Sequence, residues 1–336
     1  MKIVIIGLGS MGKRRMRLLH EIGQKNNIEI ELFGVDGRAD RRKEAEDQAE
    51  ELGFSVKAYE SLESATQKND IDCAVISTSP LSHAAIIAEC IEYNLNVFTE
   101  LNLVTTGYDE NTFEASKRGL TLFMSSTPIY RDEMRYITKK VRAFDGILNY
   151  TYHVGQYLPD WHPWESYKDF FIGDKRTNGC RELFAVELPW MIRAFGDIES
   201  VEVITSRQTA LDIDFNDCYN VIIRHKTGHT GVLTVDVVSR PAVRNMRVVG
   251  EHFFLSWDGS PNGIKEYDEE TKELKDIILY EDFEHREGYN HTIIENMYVN
   301  ELMDFLSVLK GEKEAEYSFK KDKEVLELID RIEDCQ

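Results

Sequence analysis

The chain has 336 residues, room for two domains and a sizeable core, and 42% of them are hydrophobic, a globular composition. Sixty acidic against forty basic side chains give a formal net charge of −20, so neither nucleic acid nor a membrane surface is expected as a partner. With no h-region after Lys2 and no run of about 18 apolar residues, the expected location is cytoplasmic. Cys73, Cys90, Cys180, Cys218 and Cys335 are odd in number and widely spaced, so neither a disulfide framework nor a metal site is indicated.

Met1 to Ile6 reads as a buried strand that runs into Gly7-Leu8-Gly9-Ser10-Met11-Gly12, followed by a helix over Lys13 to Gly23. A strand, a G-x-G-x-x-G turn and a helix together point to a dinucleotide. The first glycine permits the tight turn, the second lets a pyrophosphate approach the backbone, and the third lets helix and strand pack closely. Phosphate then sits on the helix N-terminus, beside Ser10 and Met11, where unpaired N–H groups and the dipole favour an anion. A second strand, from Ile28, closes on Asp36. Its carboxylate accepts from a ribose 2′-OH and repels a 2′-phosphate, which favours NAD over NADP. Arg38, two residues on, weakens that preference because a guanidinium pairs with a phosphate.

Strand and helix continue to alternate: a charged helix over Ala39 to Leu52, a strand over Ser55 to Tyr59, a short helix around Leu62 to Lys68, and the apolar run Cys73 to Ser77. After Thr78-Ser79-Pro80 come a helix over Leu81 to Tyr93, a strand over Asn96 to Thr99, a helix over Glu110 to Arg118, a strand over Thr121 to Ser125 and a helix near Glu133 to Phe144. Strands apolar throughout and separated by helices predict a parallel sheet covered on both faces, with its site at the carboxyl ends of the strands.

From about Leu148 the period changes to two, in Leu148 to Val154, Val201 to Thr205, Tyr219 to Arg224, Gly231 to Val238, Arg247 to Val249 and Phe253 to Trp257. That predicts a mostly antiparallel sheet, with turns at Lys226-Thr227-Gly228 and Asp258-Gly259-Ser260-Pro261. The acidic stretch Asp268 to Glu287 reads as a solvated edge and loop, and helices over Ile293 to Leu309 and Lys321 to Glu333 close the chain. The expected class is α/β: a doubly wound Rossmann domain over 1–125, then an α+β domain over 126–336 whose closing helices can pack back on the first.

Several motifs resemble the Gfo/Idh/MocA oxidoreductases, the glucose-fructose oxidoreductase and inositol dehydrogenase family. They are Gly7-x-Gly9-x-x-Gly12, Ser77-Thr78-Ser79-Pro80-Leu81-Ser82-His83, Val97-Phe98-Thr99-Glu100, Gln156-Tyr157-Leu158-Pro159-Asp160-Trp161, and Asn296-Met297-Tyr298 opening a late helix. The resemblance implies a nicotinamide-dependent dehydrogenase acting on a sugar, sugar acid or nucleotide-linked sugar. It also implies a homodimer or homotetramer formed through the open sheet. It places Ser77, Thr78, Ser79, Pro80, His83, Glu100 and Asn102 with the cofactor, and Gln156 and Trp161 with the substrate.

Two positions depart from the family pattern. Its Glu-Lys-Pro reads Glu100-Leu101-Asn102, and leucine neither carries charge nor donates a proton. The helix positions where the family has Asp and His fall on Glu182 and Val186. Another group must therefore take the hydroxyl proton, and the pool is Glu182, His162, Lys168 and Tyr157. Each has a plain competing role: helix-start charge for Glu182, a packed loop for His162, a surface ion pair for Lys168. Cys180, near a helix start beside Arg181, is either a lowered-pKa thiol or a small packing residue, and Arg181 is a candidate clamp for a substrate anion. Loss of both usual groups keeps two further readings open: a non-catalytic dinucleotide-binding sensor or scaffold, and a redox-neutral enzyme that keeps its NAD bound.

Overall fold

The computed structural model describes residues 1–163, 165–281 and 294–335. The chain divides into two compact units, residues 1–126 with 298–323, and 127–297 with 324–336.

The first unit contains β1 (Lys2–Ile6), α1 (Ser10–Asn26), β2 (Glu31–Val35), α2 (Ala39–Glu51), β3 (Lys57–Tyr59), α3 (Leu62–Thr66), β4 (Cys73–Ile76), α4 (His83–Glu92), β5 (Asn96–Thr99), α5 (Tyr108–Arg118) and β6 (Leu122–Met124). All six strands run parallel in the order β3-β2-β1-β4-β5-β6. The apolar runs explain the geometry. Ile3, Val4 and Ile5 of β1 and Cys73 to Ile76 of β4 are fully buried, as strands covered on both faces must be. The sequence order reverses at β1, between β2 and β4, the switch point at which doubly wound sheets open a ligand crevice outside the carboxyl ends of their strands.

The second unit contains α6 (Asp132–Ala143), β7 (Asn149–Gly155), α7 (Gly179–Phe195), β8 (Ile198–Ser206), β9 (Cys218–His225), β10 (Thr230–Asp236), β11 (Val243–Gly250), β12 (Phe253–Trp257), β13 (Ile264–Asp268) and β14 (Glu273–Ile277). Its eight-stranded sheet has the order β14-β13-β12-β11-β7-β10-β9-β8, antiparallel except that β7 pairs parallel with β10. Alternation in β7 buries Tyr150, Tyr152 and Val154 and leaves Asn149 and Thr151 exposed. The buried Tyr152 hydroxyl donates to Glu187 of α7 at 2.7 Å, and Trp190 Nε1 donates to the same carboxylate at 2.6 Å.

The stretch expected as a solvated edge and loop holds β14, an exposed strand at the edge of the sheet, paired with β13 from Ile264↔Ile277 to Asp268↔Glu273. The two strands are charged on both faces and hide the period-2 signal, so backbone pairing and contacts such as Lys265–Asp276 at 2.8 Å carry the hairpin. Positions 282–287 of that stretch, Ile293 and Trp164 lie outside the described residues. The closing helices are α8 (Asn296–Leu309) and α9 (Phe319–Asp334), and residues 298–323 fall in the first unit. Phe305 of α8 sits 5.4 Å from both Phe98 of β5 and Phe123 of β6. Glu301 takes a buried arginine from α1. Among the described residues no helix is long and apolar enough to cross a membrane.

Candidate active site

The three glycines of the turn differ in their surroundings. Gly7 has φ +91°, and a Cβ there would lie 2.7 Å from Thr78 Cγ2 and 2.8 Å from the Ser77 carbonyl oxygen. A Cβ on Gly12 would overlap the Gly7 carbonyl oxygen, so the close approach of α1 to β1 depends on its absence. Gly9 is different. It caps α1 in an extended conformation, and the nearest atom to its missing Cβ is Arg41 Nη1 at 3.8 Å. Gly9, Ser10 and Met11 all keep some exposure while Gly7 and Gly12 are buried. The turn is thus closed toward the protein and open toward the helix N-terminus, where a diphosphate would sit.

Asp36, just past β2, is tied to this turn. Its Oδ2 accepts from the Leu8 N–H at 2.9 Å and its Oδ1 from the Arg38 N–H at 2.9 Å. A carboxylate has about four acceptor sites, so capacity remains for ribose hydroxyls. The Arg38 guanidinium, weighed from sequence as a phosphate partner, closes on Asp40 through bonds of 3.1 and 2.5 Å.

Across the crevice, Ser77 and Thr78 are half-buried, Ser79 is exposed and Pro80 is buried. His83 and Asn102 are sealed at 1% and 2% exposure and cannot touch a cofactor, contrary to the role expected for them. The His83 ring contacts the Asn102 side chain through Nδ1 and lies 3.0 Å from the Thr78 carbonyl oxygen through Nε2. Burial pushes its pKa down, so a neutral ring braces the 77–80 turn from beneath.

Glu100 accepts from Arg15 Nε at 2.6 Å, and Arg15 Nη2 reaches Glu301 at 2.6 Å. Burial alone would depress the Arg15 guanidinium, but the two carboxylates hold it above its usual range. Glu301 also accepts from the Ser125 hydroxyl and the Ser126 N–H at 2.9 and 2.8 Å. The residue expected beside the nicotinamide is therefore part of a buried ion-pair network. Nothing in the sequence near Arg15 announces this, because residues 15, 100 and 301 meet only in the fold.

In the second unit, Gln156 is half-buried and its carbonyl oxygen accepts from Trp161 Nε1 at 2.9 Å. The Arg240 guanidinium covers the Tyr157 ring at 3.5 Å while pairing with Asp160 at 3.2 Å. His162 Nδ1 lies 2.6 Å from Glu165, and its ring centroid lies 4.1 Å from that of Phe170, tilted by 32°. Lys168 corrects an expectation: its ammonium pairs with Asp212 at 2.5 Å, both exposed, and is not the desolvated base required to replace the missing lysine.

The start of α7 sorts its three candidates. Cys180 is fully buried and burial pushes its thiol far above the ordinary range, which excludes an accessible thiolate and direct contact with a ligand. Arg181 is consumed within its own unit, pairing with Glu333 and, at 2.7 Å, with Asp330, so its expected role as an anion clamp is overturned. Arg181→Ala should accordingly lower stability by about 2 kcal/mol in urea unfolding, through the half-buried Glu333 left with Asn178 and no cation. Glu182 is set apart by what it lacks. Its Oε2 is sealed from solvent and has no hydrogen-bond partner among the described residues, and burial pushes its pKa up to about 7.

One pair escaped the sequence reading. His153 of β7 lies 2.6 Å from Asp236 of β10, and Asp236 also accepts from the Val238 and Ser239 N–H groups at 2.8 and 2.7 Å. Burial alone would raise the Asp236 carboxyl, yet these partners hold it below its ordinary range. The two residues are more than 80 apart in sequence, so only the β7–β10 register reveals them.

Residues 1–122 match the model of an oxidoreductase family with an NAD-binding Rossmann fold, Gfo/Idh/MocA. No curated protein matches the chain. Solved structures extend the likeness over nearly its whole length. The WlbA dehydrogenase from Bordetella pertussis, in complex with NADH and UDP-GlcNAcA, is 17% identical over 99% of this chain and 95% of its own, with a TM-score of 0.77. An oxidoreductase from Agrobacterium radiobacter, in complex with NAD+, L-tartaric acid and magnesium, is 12% identical over 98% and 94%, with a TM-score of 0.79. UDP-N-acetylglucosamine 3-dehydrogenase GnnA from Acidithiobacillus ferrooxidans is 16% identical over 100% and 97%, with a TM-score of 0.72. At such identities these likenesses establish the fold alone and leave the substrate to be argued from residues.

Proposed function

We propose that the protein is an NAD(P)-dependent oxidoreductase acting on a carbinol or carbonyl carbon of a sugar, a sugar acid or a nucleotide-linked sugar. The observation that carries this is the glycine turn, open above Gly9 and closed at Gly7 and Gly12, with Asp36 fastened to it. Gly9, Ser10 and Met11 would hold the diphosphate, and Asp36 the adenosine ribose. Ser77, Thr78 and Ser79 would line the far side of the crevice. A bound nicotinamide supplies or accepts the hydride. Glu182 is the proposed proton-transfer group, because the residue keeps some exposure and a carboxyl whose pKa burial pushes up to about 7 can both hold and release a proton at neutral pH. Relatives crystallised with UDP-GlcNAcA support a nucleotide-linked sugar over other carbinols.

A homo-oligomer is part of this reading. Ile204 and Ile222, 68% and 48% exposed, stand on neighbouring strands of the second unit's sheet and favour a second copy against that face.

The test is NADH or NADPH oxidation, and NAD+ or NADP+ reduction, across a panel of sugars, sugar acids and UDP-sugars. Turnover with one class supports the proposal. Dinucleotide binding with no hydride transfer to any member would favour a sensor or a redox-neutral enzyme. That second reading draws on Leu101 and Val186 at the two proton-handling positions and on the engagement of Glu100 with Arg15. Redox-neutral turnover without added cofactor would separate those two.

A further inference from the structure

We infer that Asp322, sealed inside the first unit, is a positioning residue for the cofactor site, holding the 77–80 turn through a buried chain of side chains from Tyr108 to Asn102 to His83. The inference rests on the cofactor reading above. All of these residues lie in the first unit, and none of the four side chains belongs to a residue more than 4% exposed. Asp322, in the first turn of α9, accepts from the Tyr108 hydroxyl of α5 at 2.5 Å and from the Tyr317 hydroxyl at 3.0 Å. The Tyr108 hydroxyl also hydrogen-bonds the Asn102 side chain, and Asn102 presents its Oδ1 to His83 Nδ1. Nε2 of that ring lies 3.0 Å from the Thr78 carbonyl oxygen. The link depends on Asn102, which stands where the Glu-Lys-Pro pattern has a proline with no side-chain donor or acceptor.

His83 is where the chain makes a choice. Burial keeps the ring neutral, and a neutral imidazole has one N–H, yet its two nitrogens face two oxygens. With Asp322 ionised, Tyr108 donates to it, the Asn102 NH2 donates to Tyr108, and the amide oxygen takes the Nδ1–H of His83. The Thr78 carbonyl then receives no proton from the ring. With Asp322 protonated, its O–H donates to Tyr108, and Tyr108 donates to the oxygen of a turned Asn102 amide. The Asn102 NH2 then donates to Nδ1, the ring proton exchanges to Nε2, and Nε2–H donates to Thr78. One proton gained at Asp322 thus reverses the donors along the chain and fastens the turn. Burial raises the Asp322 carboxyl to about 6, within reach of near-neutral pH. Among the described residues, Tyr108 and Tyr317 are the groups that act on it, while its neighbour Lys323 pairs with Asp109 of α5 at 2.7 Å. Around His83 stand Thr99 Oγ1 at 3.3 Å and the Glu100 carboxylate, which Arg15 holds.

The experiment is titration of NADH into the full chain by nicotinamide fluorescence across pH 5.5 to 8, with D322N, Y108F and Y317F alongside. Wild type should bind NADH about threefold more tightly at the acid end, the scale of one hydrogen bond shared between partly populated states. D322N, whose amide donates to Tyr108 as the protonated carboxyl does, should show the tighter value at every pH. Y108F cuts the chain and should lose the pH dependence. Y317F removes the other bond to the same carboxylate but leaves the chain whole, so it should keep that dependence with its midpoint moved up. A merely structural Asp322 would make the two tyrosine variants alike. No pH dependence in wild type, a dependence that survives Y108F or D322N, or its equal loss in Y317F would each overturn the proposal. No NADH binding at any pH would instead remove the cofactor reading, and this proposal with it.

Discussion

Gly9→Ala is expected to leave the fold intact and remove the cofactor, whereas Gly12→Ala is expected to damage both. At position 9 the backbone is extended at φ −72°, a conformation open to any residue, and no protein atom lies within 3.8 Å of the added methyl. Stability should stay within about 0.5 kcal/mol of wild type. The methyl would stand where a diphosphate passes, and overpacking of about 2 kcal/mol corresponds to a rise in NADH Kd of about 30-fold. At position 12 the methyl would overlap the Gly7 carbonyl oxygen inside the protein. Separation of α1 from β1 should then cost about 3 kcal/mol in urea unfolding and take NADH affinity with it. Full NADH affinity in Gly9→Ala would mean that the turn does not seat the cofactor.

Glu182→Gln is expected to lower turnover by about a hundredfold and to abolish the limb of the pH profile near 7. The same substitution should stabilise the protein at alkaline pH, and the sign follows from linkage. The carboxyl titrates at about 7 when folded, against about 4.3 when unfolded, so the folded state binds the extra proton between those values. Stability is therefore unaffected below about pH 4 and falls as pH rises through 7. Allowing for partial exposure of the residue, the loss is about 2 kcal/mol. Glutamine does not titrate and should spare that loss. Urea unfolding at pH 5 and pH 8 measures it, and turnover across the same range measures the catalytic part. Unchanged turnover and an unchanged profile would remove Glu182 from the chemistry.

How much of this was legible from sequence depended on the range of the interaction. Gly7, Gly9, Gly12 and Asp36 form a local device in which each residue acts through its own backbone or a carboxylate one strand away. Its signature survives in linear order, as do buried apolar strands and period-2 alternation. The β13–β14 hairpin shows where that signature fails: with charge on both faces, pairing leaves no hydrophobic period to read.

The sequence by itself determined the architecture, the cofactor turn and the loss of the usual lysine and histidine, because all three are written in residue type and spacing. Tertiary structure decided which polar groups are free to act. Cys180, Arg181 and Glu182 are consecutive, yet one is buried, one is spent on Glu333 and Asp330, and one keeps a sealed oxygen with no hydrogen-bond partner among the described residues. Arg38 and Arg41 carry the same guanidinium three residues apart, but only the second faces Gly9. Charge and hydrogen-bonding capacity belong to a residue type; whether they are already spent depends on partners that the chain supplies from far away.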